Sequence, residues 1–224
     1  MKHFILALFI LLFCASIHAQ AAPSETEAEK AETSRLDIEI NLGLGMGIDA
    51  LSGDRWRSEP ATSIGLNYNY SPSPRFQIRG GISEQVFSST RVVEHPYSYV
   101  MEMDFNLVTV STRFLVGGDW VYHLSGTGNS SYLGAAFYTD IVHFAEAHNK
   151  LFYLFQEERE TLNLKDSFSD PVPGIQVSLG LVGHAGRIEL RYWEDVRTFT
   201  VPGLPMDKQR RSFFGMAGAL YFGN

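Results

Sequence analysis

The sequence predicts an all-β fold, an eight-stranded antiparallel up-and-down transmembrane β-barrel. Three observations carry that expectation. Long segments alternate apolar and polar residues with period two. The connections between them alternate between tight turns and long loops. The glycines gather on the polar side of the alternation.

Composition sets the outer bounds. The chain has 224 residues, 45% hydrophobic and 13% aromatic, too apolar and aromatic to stay disordered. A net charge of −7 excludes a nucleic-acid partner held by bulk electrostatics. The mean hydropathy of −0.07 argues against a helical membrane protein and says nothing of a barrel.

At the start, Lys2 and His3 precede an unbroken apolar run from Phe4 to Cys14, the length of a signal-peptide core and too short to span a bilayer as a helix. Ala19-Gln20-Ala21 fits the small-x-small cleavage pattern, so residues 1–21 read as a cleavable signal peptide. Phe13 before Cys14 does not suit lipid attachment. Without Cys14 the mature chain has no thiol, hence no disulfide, thiolate nucleophile or cysteine metal site. Residues 22–35 are acidic, small and free of aromatics, and read as a disordered periplasmic tether. The barrel is assigned to 36–224.

The first strand carries the pattern without a miss. Leu36, Ile38, Ile40, Leu42, Leu44, Met46 and Ile48 fall on one face, with Asp37, Glu39, Asn41, Gly43, Gly45, Gly47 and Asp49 on the other. Period two means strand, and this one is far longer than the usual 5–6 residues or so of a globular strand. Ile64–Tyr70, Phe76–Ser83, Leu133–Ile141, Ile175–Leu181, Ile188–Trp193 and Phe214–Phe222 repeat it. Met101–Val116 repeats it with a phase slip near Leu107-Val108, which reads as a β-bulge. Tight turns fall at 71–74, 126–129 and 184–186, and longer loops at 50–60, 88–99, 147–173 and 200–210. That asymmetry places both termini on the short-turn, periplasmic side. Ten strands remain the alternative if 147–173 holds a membrane hairpin.

A soluble lipocalin-like barrel also alternates, with apolar residues inside. The glycines Gly43, Gly45, Gly47, Gly65, Gly81, Gly134, Gly180 and Gly215 favour the opposite sense, because a narrow interior needs small residues beside large ones and a wet surface does not. Tyr68, Tyr70, Phe76 and Tyr192 near strand ends suit interfacial aromatic girdles.

On this strand pattern, on Ser131-Tyr132-Leu133-Gly134 opening a middle strand, and on the aromatic last strand from Phe213-Phe214-Gly215 to Leu220-Tyr221-Phe222, the chain resembles the small eight-stranded outer-membrane barrels of the OmpA-transmembrane-domain and OmpX-like group. It is also similar to generic porin-family or PorT-like barrel domains. The resemblance implies the outer membrane of a Gram-negative cell, with its lipid and lipopolysaccharide and the barrel-assembly machinery as partners. Gly223 and Asn224 depart from the usual terminal aromatic.

The polar faces supply the candidate site, a lumen charge network of Glu39, Arg79, Glu102, Asp104, Arg113, Glu189, Arg191 and Arg197. Such charges pair to offset burial, and an eight-stranded lumen is narrow enough for side chains to fill. No catalytic residue, cofactor or metal site is assigned. His123-Leu124-Ser125 is weighed as the His–Ser pair of a lipid A-modifying enzyme, but Gly126 does not continue that motif. His143 and His148, five apart on a strand, are expected on opposite faces. Gly43-Leu44-Gly45-Met46-Gly47 lies within a strand and lacks the strand–helix setting of a phosphate loop. The loop 147–173, apolar and then charged, reads either as a hairpin extending the barrel toward an extracellular partner or as a self-packed cover. The expected function is a structural or surface-interaction role without enzymatic activity, the alternatives being a lipid A-modifying enzyme and a narrow passive pore.

Overall fold

The computed structural model describes residues 33–47, 55–97, 99–123, 130–153, 155–183, 186–200 and 210–222. Residues 1–21, expected to be a signal peptide, and most of the expected tether lie outside them. Among the described residues nine strands run in order: β1 Thr33–Gly47, β2 Arg55–Ser73, β3 Phe76–Tyr97, β4 Val100–His123, β5 Ser130–Phe152, β6 Glu157–Asn163, β7 Val172–Val182, β8 Gly186–Asp195 and β9 Arg211–Phe222. A 3₁₀ turn spans Lys165–Phe168. No helix among the described residues is long and apolar enough to cross a membrane.

All pairings are antiparallel, and eight strands close a ring in the order β1-β2-β3-β4-β5-β7-β8-β9 and back to β1. β6 stands outside that ring, paired among the described residues with the upper part of β5 from Glu146 to Phe152. Segment 147–173 thus holds a hairpin, but one that adds no ninth wall strand. Thr33, Ser34 and Arg35, assigned to the tether, instead open β1 against Ser71, Tyr70 and Asn69. Backbone pairing at a strand end asks for no apolar side chain, so composition did not mark it.

The register fixes the tilt. From Leu36, partners lead through Tyr68, Gly80, Val116, Phe137, Ile175, Glu194 and Ser212 back to β1 at Met46, ten residues further along. A stagger of that size tilts the strands by roughly 40°, so the axial rise is about 2.5 Å per residue. Turns between Ser73 and Phe76 and between Val182 and Gly186 are tight, and both described chain ends lie on that side.

The residue distribution is inside out. Ile40, Ile64, Val116, Phe137, Ile188 and Met216 face outward, Phe137 at 73% exposure, while Arg79, Arg113, Asp140 and Arg211 are sealed inside. Water would not tolerate that arrangement, but lipid selects it. Trp120 and Phe76 meet edge to face at 5.7 Å on the short-turn rim. Gly117 illustrates the tight interior. A Cβ there would strike the Ala136 Cβ and come within 2.7 Å of the Ala136 Cα. Gly117→Val is therefore expected to lower barrel stability by about 1–3 kcal/mol, measured as the urea midpoint in lipid vesicles.

At the long-loop end three expectations change. Segment 88–99 is not a loop: β3 runs to Tyr97, and the chain reverses before Val100. β4 also has no phase slip. Met103, Phe105, Leu107, Thr109, Ser111 and Arg113 are all buried, so one parity faces inward throughout. The residue that breaks phase is His143 in β5, where Val110 pairs with Phe144 but Ser111 with Val142. Because of this bulge His143 and His148 both face outward rather than oppositely. The physical reason is shared. Above the lipid the outer wall meets water, so the interior becomes apolar: Phe87, Met103, Phe105, Leu107, Ala145, Ala147, Leu164 and Phe168 form one buried cluster. Sidedness reverses while parity holds, and the sequence shows the reversal as a slip.

Candidate functional site

The lumen holds the charges, which period two delivers there. Alternate residues of β1, β3, β4, β5, β8 and β9 point inward, and successive inward positions carry charge in β1, at Asp37 and Glu39, and in β8, at Arg187, Glu189 and Arg191. They fall into two storeys.

The lower storey centres on Glu39 of β1. Arg191 grips it with two hydrogen bonds, Nη1 to Oε1 at 2.6 Å and Nη2 to Oε2 at 2.7 Å, and Arg187 Nη2 donates to Oε2 at 2.7 Å. The Asn67 amide donates to Glu39 at 3.0 Å and to Asp37 at 2.8 Å, and Asn69 donates to Asp37 at 2.6 Å. Arg79 of β3 crosses the lumen, bonding Asp119 at 3.1 Å and Glu189 at 3.2 Å. Glu189 also accepts from Arg191 Nε at 2.6 Å and from the Tyr132 hydroxyl. Gly134 and Gly180 make the room: a Cβ at the first would collide with Asp119 and Ser178, and at the second with Glu189 and Tyr132. Four carboxylates here face three guanidinium groups.

The upper storey is balanced. Arg113 holds Asp140 through Nε at 2.7 Å and Nη2 at 2.9 Å. Arg211 holds Asp195 at 2.7 Å, Asp140 at 2.9 Å and the Thr109 hydroxyl at 3.2 Å, and the Tyr138 hydroxyl donates to Asp195 at 2.9 Å. The Arg113 guanidinium lies 3.5 Å from the Tyr138 ring centroid and 4.2 Å from that of Trp193. Trp193 in turn stacks on Phe213 at 5.7 Å and meets Phe87 at 5.5 Å, joining this storey to the apolar cluster above. Paired and hydrogen-bonded charges offset the desolvation that each alone would suffer.

Of the residues singled out from sequence, Glu39, Arg79, Glu189 and Arg191 meet in the lower storey, and Arg113 lies in the upper one. Glu102 and Asp104 do not join them. They sit on the outward parity of β4, cross-strand from Phe152 and Lys150, because the unbroken phase of β4 sends Met103 and Phe105 inward instead. Arg197 lies beyond the end of β8, exposed, with its Nη1 3.0 Å from Asp170. Sequence reasoning missed Asp37, Asp119, Asp140, Arg187, Asp195 and Arg211. Parity would have found most of them: 187 and 195 share the phase of Glu189 and Arg191, and 211 shares that of Phe213.

Outside the lumen, the β5–β6 hairpin projects from the long-loop end. Glu157 accepts from Arg159 at 2.8 Å and lies 3.6 Å from Lys150, and these cations hold its carboxyl below the usual glutamate range. Charged residues along β6, from Glu157 to Glu160, guard an otherwise open strand edge. His148 lies 3.9 Å from Glu146 and 3.2 Å from the Thr161 hydroxyl. No group of three metal-type ligands occurs among the described residues. The His123-Leu124-Ser125 pair lies outside the described side chains.

No family model and no curated protein matches this chain. Among solved structures, it is similar to the attachment invasion locus protein Ail of Yersinia pestis, at 13% identity over 84% of this chain and 97% of that one, with a TM-score of 0.38. It is similar to Neisserial surface protein A at 11% identity, 84% and 97% coverage and a TM-score of 0.39. The outer membrane protein OprG of Pseudomonas aeruginosa aligns at 13% identity, 88% and 99% coverage and a TM-score of 0.36. These neighbours are small outer-membrane barrels.

Proposed function

We propose that the chain is an integral outer-membrane protein of a Gram-negative cell, with a structural or surface-interaction role and a lumen closed by its own side chains. The carrying observation is the inside-out ring: apolar residues outward, two storeys of paired charge inward, and an apolar cluster above them. On this reading the short-turn end faces the periplasm and the long-loop end the cell surface, where the β5–β6 hairpin is the surface for an extracellular partner. The protein acts by presenting that surface and not by chemistry.

The test is fractionation with gel mobility. The mature protein is expected in outer-membrane fractions, migrating faster unheated than boiled. Recovery as soluble periplasmic material without a mobility shift sinks the reading. In planar bilayers the closed lumen is expected to give no discrete single-channel steps, whereas reproducible steps would establish the pore instead.

A further inference from the structure

A connected polar group stands on the outer wall of β3, β4 and β5. Glu84 of β3, Thr112 of β4 and His143 of β5 lie on adjacent strands with their side chains on the outer face. The Thr112 hydroxyl bonds the Glu84 carboxylate, and it lies 2.6 Å from His143 Nε2. At the β5 bulge His143 continues the outward phase of Ile141, and the extra residue sets Phe144 beside it on the same face. Phe144, Val86 and Phe114 surround the group on the same outer wall.

Depth follows from register. Thr112 is eight residues above Trp120 on β4, which at the axial rise of a tilted strand is roughly 20 Å above the aromatic rim, near the top of an apolar band about 25 Å tall. Below Glu84 an apolar groove of about 330 Å3 runs over Ile38, Ile64, Leu66 and Ile82, with Glu84 at its upper end. An acyl chain descending from the surface leaflet would enter this groove with its linkage to the head at the level of Glu84, Thr112 and His143.

The chemistry selects the lipid. The Thr112 hydroxyl donates to Glu84, which assigns His143 Nε2 as the donor to Thr112, and the remaining capacity of the Glu84 carboxylate is acceptor capacity. At this depth water is scarce and an unmet acceptor is costly, so the occupant must bring O–H or N–H donors. Ester carbonyls of a diacyl glycerophospholipid only accept. Amide-linked and hydroxylated acyl chains on an amino sugar donate.

We propose that the outer wall of β1–β5 binds a surface-leaflet lipid of the acylated amino-sugar type. One chain lies in the Ile38–Ile82 groove, and its amide or hydroxyl donors meet Glu84, Thr112 and His143. This rests on the assignment of the long-loop end to the cell surface.

The experiment uses the full mature protein folded in phosphatidylcholine nanodiscs, with or without lipid A, and counts bound lipid by native mass spectrometry after detergent extraction. Wild type is expected to retain lipid A and lose phosphatidylcholine. Glu84→Leu and Thr112→Val are each expected to lower lipid A occupancy about tenfold, as loss of a hydrogen bond to a charged group does. Leu66→Trp, which fills the groove and leaves the polar group intact, is expected to lower it similarly. Retention of lipid A no better than phosphatidylcholine overturns the proposal, as does wild-type occupancy in both polar variants. Release of free fatty acid from lipid A that Thr112→Val abolishes would also overturn it, in favour of hydrolysis. A protein with no heat-dependent mobility shift fails as a barrel. A shifting barrel without lipid A preference fails only here.

Discussion

Replacing Glu39 with alanine is expected to destabilise the barrel by about 3–5 kcal/mol, the usual cost of removing one partner from a buried ion pair. Glu39 accepts from Arg191 twice and from Arg187 and Asn67, all in a sealed lumen. Its loss leaves the lower storey with three carboxylates and three guanidinium groups, balanced in number but not in place. Arg187 keeps only neighbours at 3.9 Å among its carboxylate contacts. Urea unfolding in lipid vesicles, read by unheated gel mobility, should show a midpoint lowered by roughly 1–3 M. Glu39→Gln keeps an acceptor oxygen and should cost less. Coupling offers a second check: Glu39→Ala combined with Arg191→Ala should cost less than the two single changes added together. An additive double variant would mean that the pair is held apart by water and does not act as one unit.

Trp193→Ala is expected to rival that effect, at about 3–5 kcal/mol, through a different mechanism. The indole is 4% exposed and contacts Phe213, Phe87 and Tyr138 by its ring and Arg113 by its face. Truncation opens a cavity where the charged storey meets the apolar cluster and takes from Arg113 one of its two aromatic partners. Trp193→Phe should recover much of the loss. Equal midpoints for wild type and Trp193→Ala would show that the two halves of the interior are energetically independent.

The legible part of this protein was the part that stands in lipid. Leu36 to Ile40 against Asp37 and Glu39, or Ile188 and Leu190 against Glu189 and Arg191, separate cleanly because one face meets hydrocarbon and the other a narrow polar interior. Above that zone the rule changes. Met103 and Phe105 are as apolar as any lipid-facing residue, yet they point inward. Glu102 and Asp104 are as charged as any lumen residue, yet they point out. Hydropathy gives the parity of a strand and not its sense, and the sense depends on the medium outside. Pairing was hidden for another reason. Arg79 and Glu189 are 110 positions apart, and only closure of the ring brings them to 3.2 Å.

The extra residue in β5 also sets which length changes this wall tolerates. Below His143 the even positions face the lumen, and above it the odd ones do. Deleting His143 would restore a uniform count along β5. It would leave Ala145, Ala147 and Asn149 facing inward, because Val142 and Phe144 would then follow one another directly opposite Ser111 and Val110. A natural relative one residue shorter at this point should therefore keep the facing of its upper wall and simply lack the bulge. A single-residue gap above Ala145 would instead turn His148 and Lys150 toward Met103 and Phe105, so length changes there should come two residues at a time.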